Sequence, residues 1–184
     1  MKTAVVFLAD GMEECEGLVV VDLLRRADVN VITASIMGRK DITASHKVTL
    51  IADALAKEVD FSAADLLVLP GGMPGTDNLG GSEIVKNQCI AFAKEKLLAA
   101  ICAAPSVLAN LGILEGKPAT CHPNFERKMA GAQVTGESVT VAGNVVTGQG
   151  LGAAIPFALK LIEILADRTT ADRIAASICW HPGL

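Results

Sequence analysis

Four places in the sequence carry residue types that could do chemistry together. Cys102 closes the apolar run KLLAAIC and is followed at once by Ala103-Ala104-Pro105 and the helical pattern of PSVLANLGIL. A thiol at the end of a buried strand, just before a helix, sits as in a nucleophile elbow, although the G-x-S-x-G signature is absent. The free N–H groups at a helix start favour a thiolate, and Pro105 fits the first turn because its missing N–H costs least there. The competing reading is simple packing, since free cysteine is among the most often buried residue types. Glu16 favours the chemical reading. It falls on the same helical face as Val19, Val20, Leu23 and Ala27, which must pack on a sheet. A carboxylate there is costly without a partner, and burial raises its pKa until it can share a proton with a nearby thiolate. Glu13 and Glu14 suit the plainer role of acids at a helix start.

His122 stands before Pro123 and so is placed on a loop, where it could serve a cysteine as base or imidazolium; a lone loop histidine is more often merely solvated. His46 and His181 are weaker candidates. Gly71-Gly72 follow Pro70 at a strand end, where glycine lets backbone N–H groups approach an oxyanion as well as make a tight turn. Gly148-Gln149-Gly150-Leu151-Gly152-Ala153 matches G-x-G-x-x-A, but no strand with an acid follows in a βαβ unit. These glycines therefore read as close strand–helix packing. The five cysteines include no C-x-x-C pair, and Cys121-His122 lacks partners at metal-ligand spacing, so reduced thiols and no metal are expected.

The elements that must hold these residues alternate. TAVVFLAD (3–10), VNVITASI (29–36), residues 65–69 and KLLAAIC (96–102) read as buried strands, and HKVTLIAD (46–53) as another, paired as a hairpin with its predecessor. Helical periodicity marks 13–27, 82–95, PSVLANLGIL, FERKMA (125–130), 153–167 and 169–177, and SVTVAGNVVTG reads as a hairpin turning at Gly143-Asn144. Such alternation implies an α/β fold with a mostly parallel sheet covered on both faces. Ligands bind at the carboxyl ends of such strands, which is where DGMEECEG, PGGMPGTDN, the turn at Cys102 and TGQGLG should meet.

The 184 residues suit one domain over 1–184, with no repeat or linker to divide it. With 51% hydrophobic residues, 3% aromatic and no tyrosine, the core must be Ala, Val, Leu and Ile. The net charge of −4 comes with no basic stripe for nucleic acid, and no apolar run reaches membrane-spanning length. The first segment lacks the apolar region and cleavage site of a signal peptide, so the expected place is cytoplasmic.

VVFLADGMEECEGLVVVDLLRRA, LLVLPGGMPGTDNL, AAICAAPSVLA and ATCHPNFERKM, in this order and spacing, resemble the ThiJ/PfpI family in its parkinsonism-associated deglycase (YajL-like) branch, across essentially the whole chain. The resemblance implies a flavodoxin-like three-layer sandwich with Cys102 as the reactive cysteine in a strained elbow. It implies that Glu16 hydrogen-bonds the sulfur, that His122 stands beside it, and that Gly71, Gly72 and Ala103 line the oxyanion and substrate site. It further implies a homodimer with the first helix near the interface, so that Glu13 and Arg26 lie close to a partner, and no cofactor. His46 stands where the animal relatives have arginine. Ala103 replaces the histidine of the protease-like branch, which argues against peptidase activity. His181-Pro182-Gly183 lacks the His-x-Glu pair of class I glutaminases. The implied activity is a glutathione-independent glyoxalase or deglycase on methylglyoxal-type 2-oxoaldehydes or glycated protein side chains. The alternative is an oxidative-stress sensor and redox-regulated chaperone using the same thiol.

Overall fold

Val5, Val6, Phe7 and Leu8 are all essentially without solvent contact, as a strand covered on both faces must be. The computed structural model describes residues 1–181. In chain order it contains β1 (Thr3–Leu8), α1 (Glu14–Arg26), β2 (Asn30–Ser35), β3 (Asp41–Thr43), β4 (Thr49–Ile51), β5 (Ala54–Leu55), β6 (Leu66–Leu69), α2 (Gly75–Gly81), α3 (Glu83–Glu95) and β7 (Leu97–Ile101). There follow α4 (Pro105–Asn110), β8 (Pro118–Ala119), β9 (Gln133–Val134), β10 (Val139–Ala142), β11 (Val145–Gly148), α5 (Ala154–Leu165) and α6 (Arg168–Ser177). Seven strands form one sheet in the order β10-β11-β7-β6-β1-β2-β5, parallel throughout except for the hairpin β10-β11.

Strand alternation divides the core into two layers. Ala4, Val6, Leu8, Val68 and Ile101 face Val20, Leu23, Phe157, Leu161 and Ile174 of α1, α5 and α6. Val5, Phe7, Leu67, Leu69 and Ala100 face Val85, Phe92, Val107 and Leu108 of α3 and α4. This is the expected flavodoxin-like three-layer arrangement. No helix among the described residues is long and apolar enough to cross a membrane.

Three local expectations differ from the structure. The segment 46–53 does not pair with 29–36: β4 pairs antiparallel with β3 in a separate two-stranded ribbon, while β2 joins β1 and β5. The helix over PSVLANLGIL lasts only six residues, because Gly112 takes a positive φ of 72° and the chain turns away. The FERKMA segment lies in a 3₁₀ stretch, Pro123–Lys128, started by His122 as its cap.

Candidate active site

Cys102 follows β7 with φ 65°, in the left-handed region that a side-chain-bearing residue seldom adopts. Both of its backbone polar groups are pinned: its N–H donates to Gly148 O at 2.9 Å, and its carbonyl accepts from His122 N–H at 2.9 Å. β11 on one side and the 120–122 loop on the other thus impose the strained conformation that turns the thiol out of the sheet. The elbow expected from the sequence is present.

α1 brings the carboxyl. Glu13 caps the helix, its Oε2 accepting from Glu16 N–H at 2.6 Å, and Glu16, one turn in, is 1% exposed. Glu16 Oε2 accepts from Gly71 N–H at 3.0 Å. Its Oε1 is sealed from solvent with no hydrogen-bond partner, and the group facing the carboxyl is the Cys102 thiol. Burial pushes the Glu16 carboxyl up to about 7, against the hydrogen bonds from Cys102 and Gly71 that favour its charge; the neighbouring Glu13 adds to the rise.

The thiol departs from the sequence argument. Burial, and then the charge and hydrogen bond of Glu16, push Cys102 up to about 12, while the N–H groups of Ala103 and Gly72 pull it down. The short helix α4 does not by itself make this an acidic thiol. Beside an ionised Glu16 the sulfur keeps its proton, so a thiolate forms at neutral pH only when Glu16 holds the shared proton. The two groups titrate as a pair.

The glycines divide their roles. Gly72 donates toward the sulfur together with Ala103, and Gly71 does not offer its N–H to an oxyanion because Glu16 has taken it. Gly71 is required on other grounds. A Cβ there would lie 2.7 Å from Cys102 Cβ, 2.7 Å from Glu16 Oε2 and 2.9 Å from Ile101 O, between the two groups that must meet. Gly148 behaves as close strand–helix packing requires, since a Cβ would fall 2.9 Å from Ile101 Cγ1 and 3.0 Å from Phe157 Cδ2.

His122 is half-buried beside the sulfur: its Cδ2 and Cys102 Sγ both border Gly150. Its Nδ1 accepts from Asn124 N–H at 3.2 Å, which leaves the proton of the neutral ring on Nε2. The ring therefore offers a donor to the site rather than a base for the thiol, and among the described residues no hydrogen bond joins it to Cys102. His46 lies apart, on the loop before β4. Its Nδ1 stands 3.2 Å from Glu14 Oε2, which also accepts from Ser45 Oγ at 3.0 Å. Burial works to raise the Glu14 carboxyl, but hydrogen bonds from its own N–H, His46 and Ser45 hold it below the usual range. The donor atoms of Glu13, Glu14 and His46 lie within 4.8 Å of one another, yet the cap and these hydrogen bonds already account for them. His181 takes no part in this cluster, and the Pro182-Gly183 pair behind the glutaminase argument lies outside the described residues.

The sulfur opens on a cavity of about 520 Å³ at the carboxyl ends of the strands, lined by Glu13, Glu16, Cys102, His122, Pro123, Ser138, Gln149 and residues 150–153. The loop 147–152 was expected at this edge. Ser138 and the inward placement of Glu13 carried no signal in the sequence, because each depends on how distant segments pack.

Residues 2–164 match the DJ-1/PfpI family. The chain is 35% identical over 185 residues to Protein DJ-1 homolog A of Arabidopsis thaliana, covering 98% of this chain but 47% of that protein, so it spans about half the length of that relative. It is 29% identical over 182 residues to the Caenorhabditis elegans protein named glutathione-independent glyoxalase DJR-1.2, covering 97% of this chain and 96% of that one. The structure of Toxoplasma gondii DJ-1, oxidized, superposes with a TM-score of 0.94 at 34% identity, over 98% of this chain and 99% of that one. With its parallel sheet, its strained cysteine and a family match over most of its length, the chain belongs to the DJ-1/PfpI family.

Proposed function

We propose that the chain is a cysteine-dependent glyoxalase or deglycase acting on 2-oxoaldehydes of the methylglyoxal type, or on their early adducts with protein side chains, without glutathione. The observation that carries this reading is the strained Cys102 elbow set beside the sealed Glu16 carboxyl on one open cavity. Glu16 ionises before the thiol, so its carboxylate takes the thiol proton as the sulfur attacks. The thiolate adds to the aldehyde carbon, C1, and the alkoxide formed takes the Glu16 proton to give a hemithioacetal. The Glu16 carboxylate then removes the C1 proton and returns it to C2 through an enediol. C1 rises to the thioester level while C2 is reduced to an alcohol, so no external oxidant or reductant is consumed. Water cleaves the thioester, releasing the 2-hydroxy acid and restoring the thiol. His122 Nε2–H would donate to the C2 oxygen, and the Gly72 and Ala103 N–H groups to charge on the C1 oxygen. The name carried by the Caenorhabditis elegans relative supports the same chemistry. Lactate production from methylglyoxal without added glutathione tests the reading. Cys102→Ser should lower the rate about a thousandfold or more, and activity that survives it refutes the nucleophile.

A second reading, a redox sensor or chaperone, uses the same thiol. Its support is that Cys102 opens on a cavity with Gly72 N–H, Ala103 N–H and the Glu16 carboxyl arranged to hold sulfinate oxygens. The oxidized form in which the Toxoplasma gondii protein was solved points the same way. After mild peroxide, mass spectrometry should find two oxygens on Cys102 before any on the other four cysteines; equal oxidation of all five would sink it.

A further inference from the structure

We propose that Thr147 is a positioning residue for the reactive elbow: its buried hydroxyl joins the 120–122 segment to the sheet, and through that segment it sets both the backbone of Cys102 and the place of His122. The proposal rests on the reading of Cys102 as the reactive group, not on which electrophile that group meets.

A threonine is out of place where Thr147 stands. β11 is buried along its whole length, Thr147 is 1% exposed, and its neighbours Val145 and Val146 are the apolar β-branched residues such a strand favours. Side chains alternate along a strand, so Thr147 points to the same face as Val145, toward the layer that holds Ala100, Ala119 and Cys121. Valine has nearly the same shape, and a hydroxyl in that layer is costly unless it has a partner. The partner is the Thr120 N–H, which donates to Thr147 Oγ1 at 2.9 Å. Thr120 is fully buried, and its own hydroxyl has no hydrogen-bond partner among the described residues. The segment is therefore not placed to satisfy the Thr120 side chain; it is placed to bring its backbone to β11.

Little else holds the segment there. β8 ends at Ala119 and pairs with β9, outside the central sheet. Among the described residues, two hydrogen bonds tie residues 120–122 to the central sheet and the elbow: Thr120 N–H to Thr147 Oγ1, and His122 N–H to Cys102 O at 2.9 Å. The second pins the Cys102 carbonyl at its left-handed φ of 65°. On the other side Thr147 adjoins Gly148, whose carbonyl accepts from Cys102 N–H at 2.9 Å. One position of β11 thus stands behind both bonds that hold the elbow, through the chain on the N–H side and through the hydroxyl on the carbonyl side. His122 belongs to the same segment, so a loss at the joint moves the sulfur and the ring together. A buried N–H left without an acceptor carries its full desolvation cost, so the joint fails when the hydroxyl goes even though the shape is kept.

Iodoacetamide alkylation, followed by quantitative peptide mass spectrometry, reads the joint through three cysteines at once. Cys121 is buried within the segment, Cys89 is buried in α3, and Cys102 is the elbow itself. Thr147→Val should speed alkylation of Cys121 about tenfold and leave Cys89 as protected as in the native protein. It should slow Cys102 about tenfold, because the freed elbow no longer holds the sulfur against the Gly72 and Ala103 N–H groups. Thr147→Ser, which keeps the hydroxyl, should leave Cys102 and Cys121 within about threefold of native. Cys121 and Cys89 rising by the same factor would mean only a looser fold. An unchanged Cys102 would mean that the joint does not set the elbow, and serine behaving like valine would mean that the hydroxyl is not the agent; each of these overturns the proposal. Amide hydrogen exchange of the unaltered protein needs no variant: the Thr120 and His122 N–H groups should both be protected and open within about threefold of each other. A Thr120 amide that exchanges as in an unfolded chain, or opens far faster than His122, overturns it too. Lactate from methylglyoxal separates this inference from the proposed function. If the alkylation pattern holds and no lactate forms, the glyoxalase reading fails and the joint stands; if lactate forms and Cys102 is indifferent to Thr147→Val, the joint fails and the glyoxalase reading stands.

Discussion

Replacing Glu16 by glutamine should make the protein more stable above neutral pH and no more than slightly so in mild acid. The substitution preserves shape: the amide oxygen can accept from Gly71 N–H as Oε2 now does at 3.0 Å, and the amide nitrogen takes the place of the orphaned Oε1. What changes is the charge. The folded carboxyl binds its proton with a pKa of about 7, against 4.5 for the ordinary group. A raised carboxyl pKa leaves stability intact below the unfolded value and removes it as pH rises through the folded value. Each tenfold step is worth about 1.36 kcal/mol, so the penalty for ionising this site is about 1 kcal/mol at pH 5 and about 3 kcal/mol at pH 8. Groups shared by the two proteins cancel in the difference between them. The advantage of Glu16→Gln should therefore grow by about 2–3 kcal/mol between pH 5 and pH 8, or about 5–10 °C in Tm for a chain of this size. Urea unfolding of both proteins at the two pH values measures it. A difference that stays flat with pH means the carboxyl is not raised, and the account of the Glu16–Cys102 pair falls with it.

Gly71→Ala puts a Cβ 2.7 Å from Cys102 Cβ and 2.9 Å from a backbone carbonyl that cannot rotate away, so it should cost about 1–3 kcal/mol in denaturant unfolding and slow Cys102 alkylation. An unchanged alkylation rate would mean that the contact between Glu16 and Cys102 is not what sets reactivity. If the proposed glyoxalase chemistry holds, His122→Asn should leave the alkylation of Cys102 within about twofold while lowering methylglyoxal turnover by about 10²–10⁴, because the ring's Nδ1 is occupied by Asn124 and its Nε2–H would serve substrate oxygen rather than the thiol. Equal losses in both assays would show that the ring acts on the sulfur after all.

The sheet and its helices were legible because each depends on local pattern. Buried runs such as 4–8 and 66–69 admit no face for water, and the spacing of Val20, Leu23 and Leu24 allows no partner but the sheet. The ribbon β3-β4 was misassigned because HKVTLIAD looks like any half-buried strand; its true neighbour, Asp41–Thr43, is only three residues long and carries little pattern. The early end of α4 has the same kind of cause, a single glycine at positive φ outweighing a run of good helix formers.

The site was legible in its membership more than in its electrostatics. That Glu16 faces inward follows from helical periodicity, and that Cys102 ends a strand follows from the residues around it. Which N–H serves which acceptor does not follow, because a choice of about 3 Å decides it: Gly71 turns to Glu16, Gly72 to the sulfur, and Asn124 to His122. The helix-terminus argument for an acidic thiol failed for a related reason. It counted the partial charge at the helix start and left out the burial and the neighbouring carboxylate that the same fold imposes. Burial raises both groups, yet their closeness turns two separate penalties into one shared proton. A lone buried cysteine would stay a thiol at neutral pH, as Cys89, pushed up to about 12 by burial alone, should. Cys102 is pushed as high as Cys89, and what distinguishes it is a carboxyl beside it that ionises first and can take the thiol proton when the sulfur attacks, so the carboxyl is as much the condition for reactivity as the elbow is.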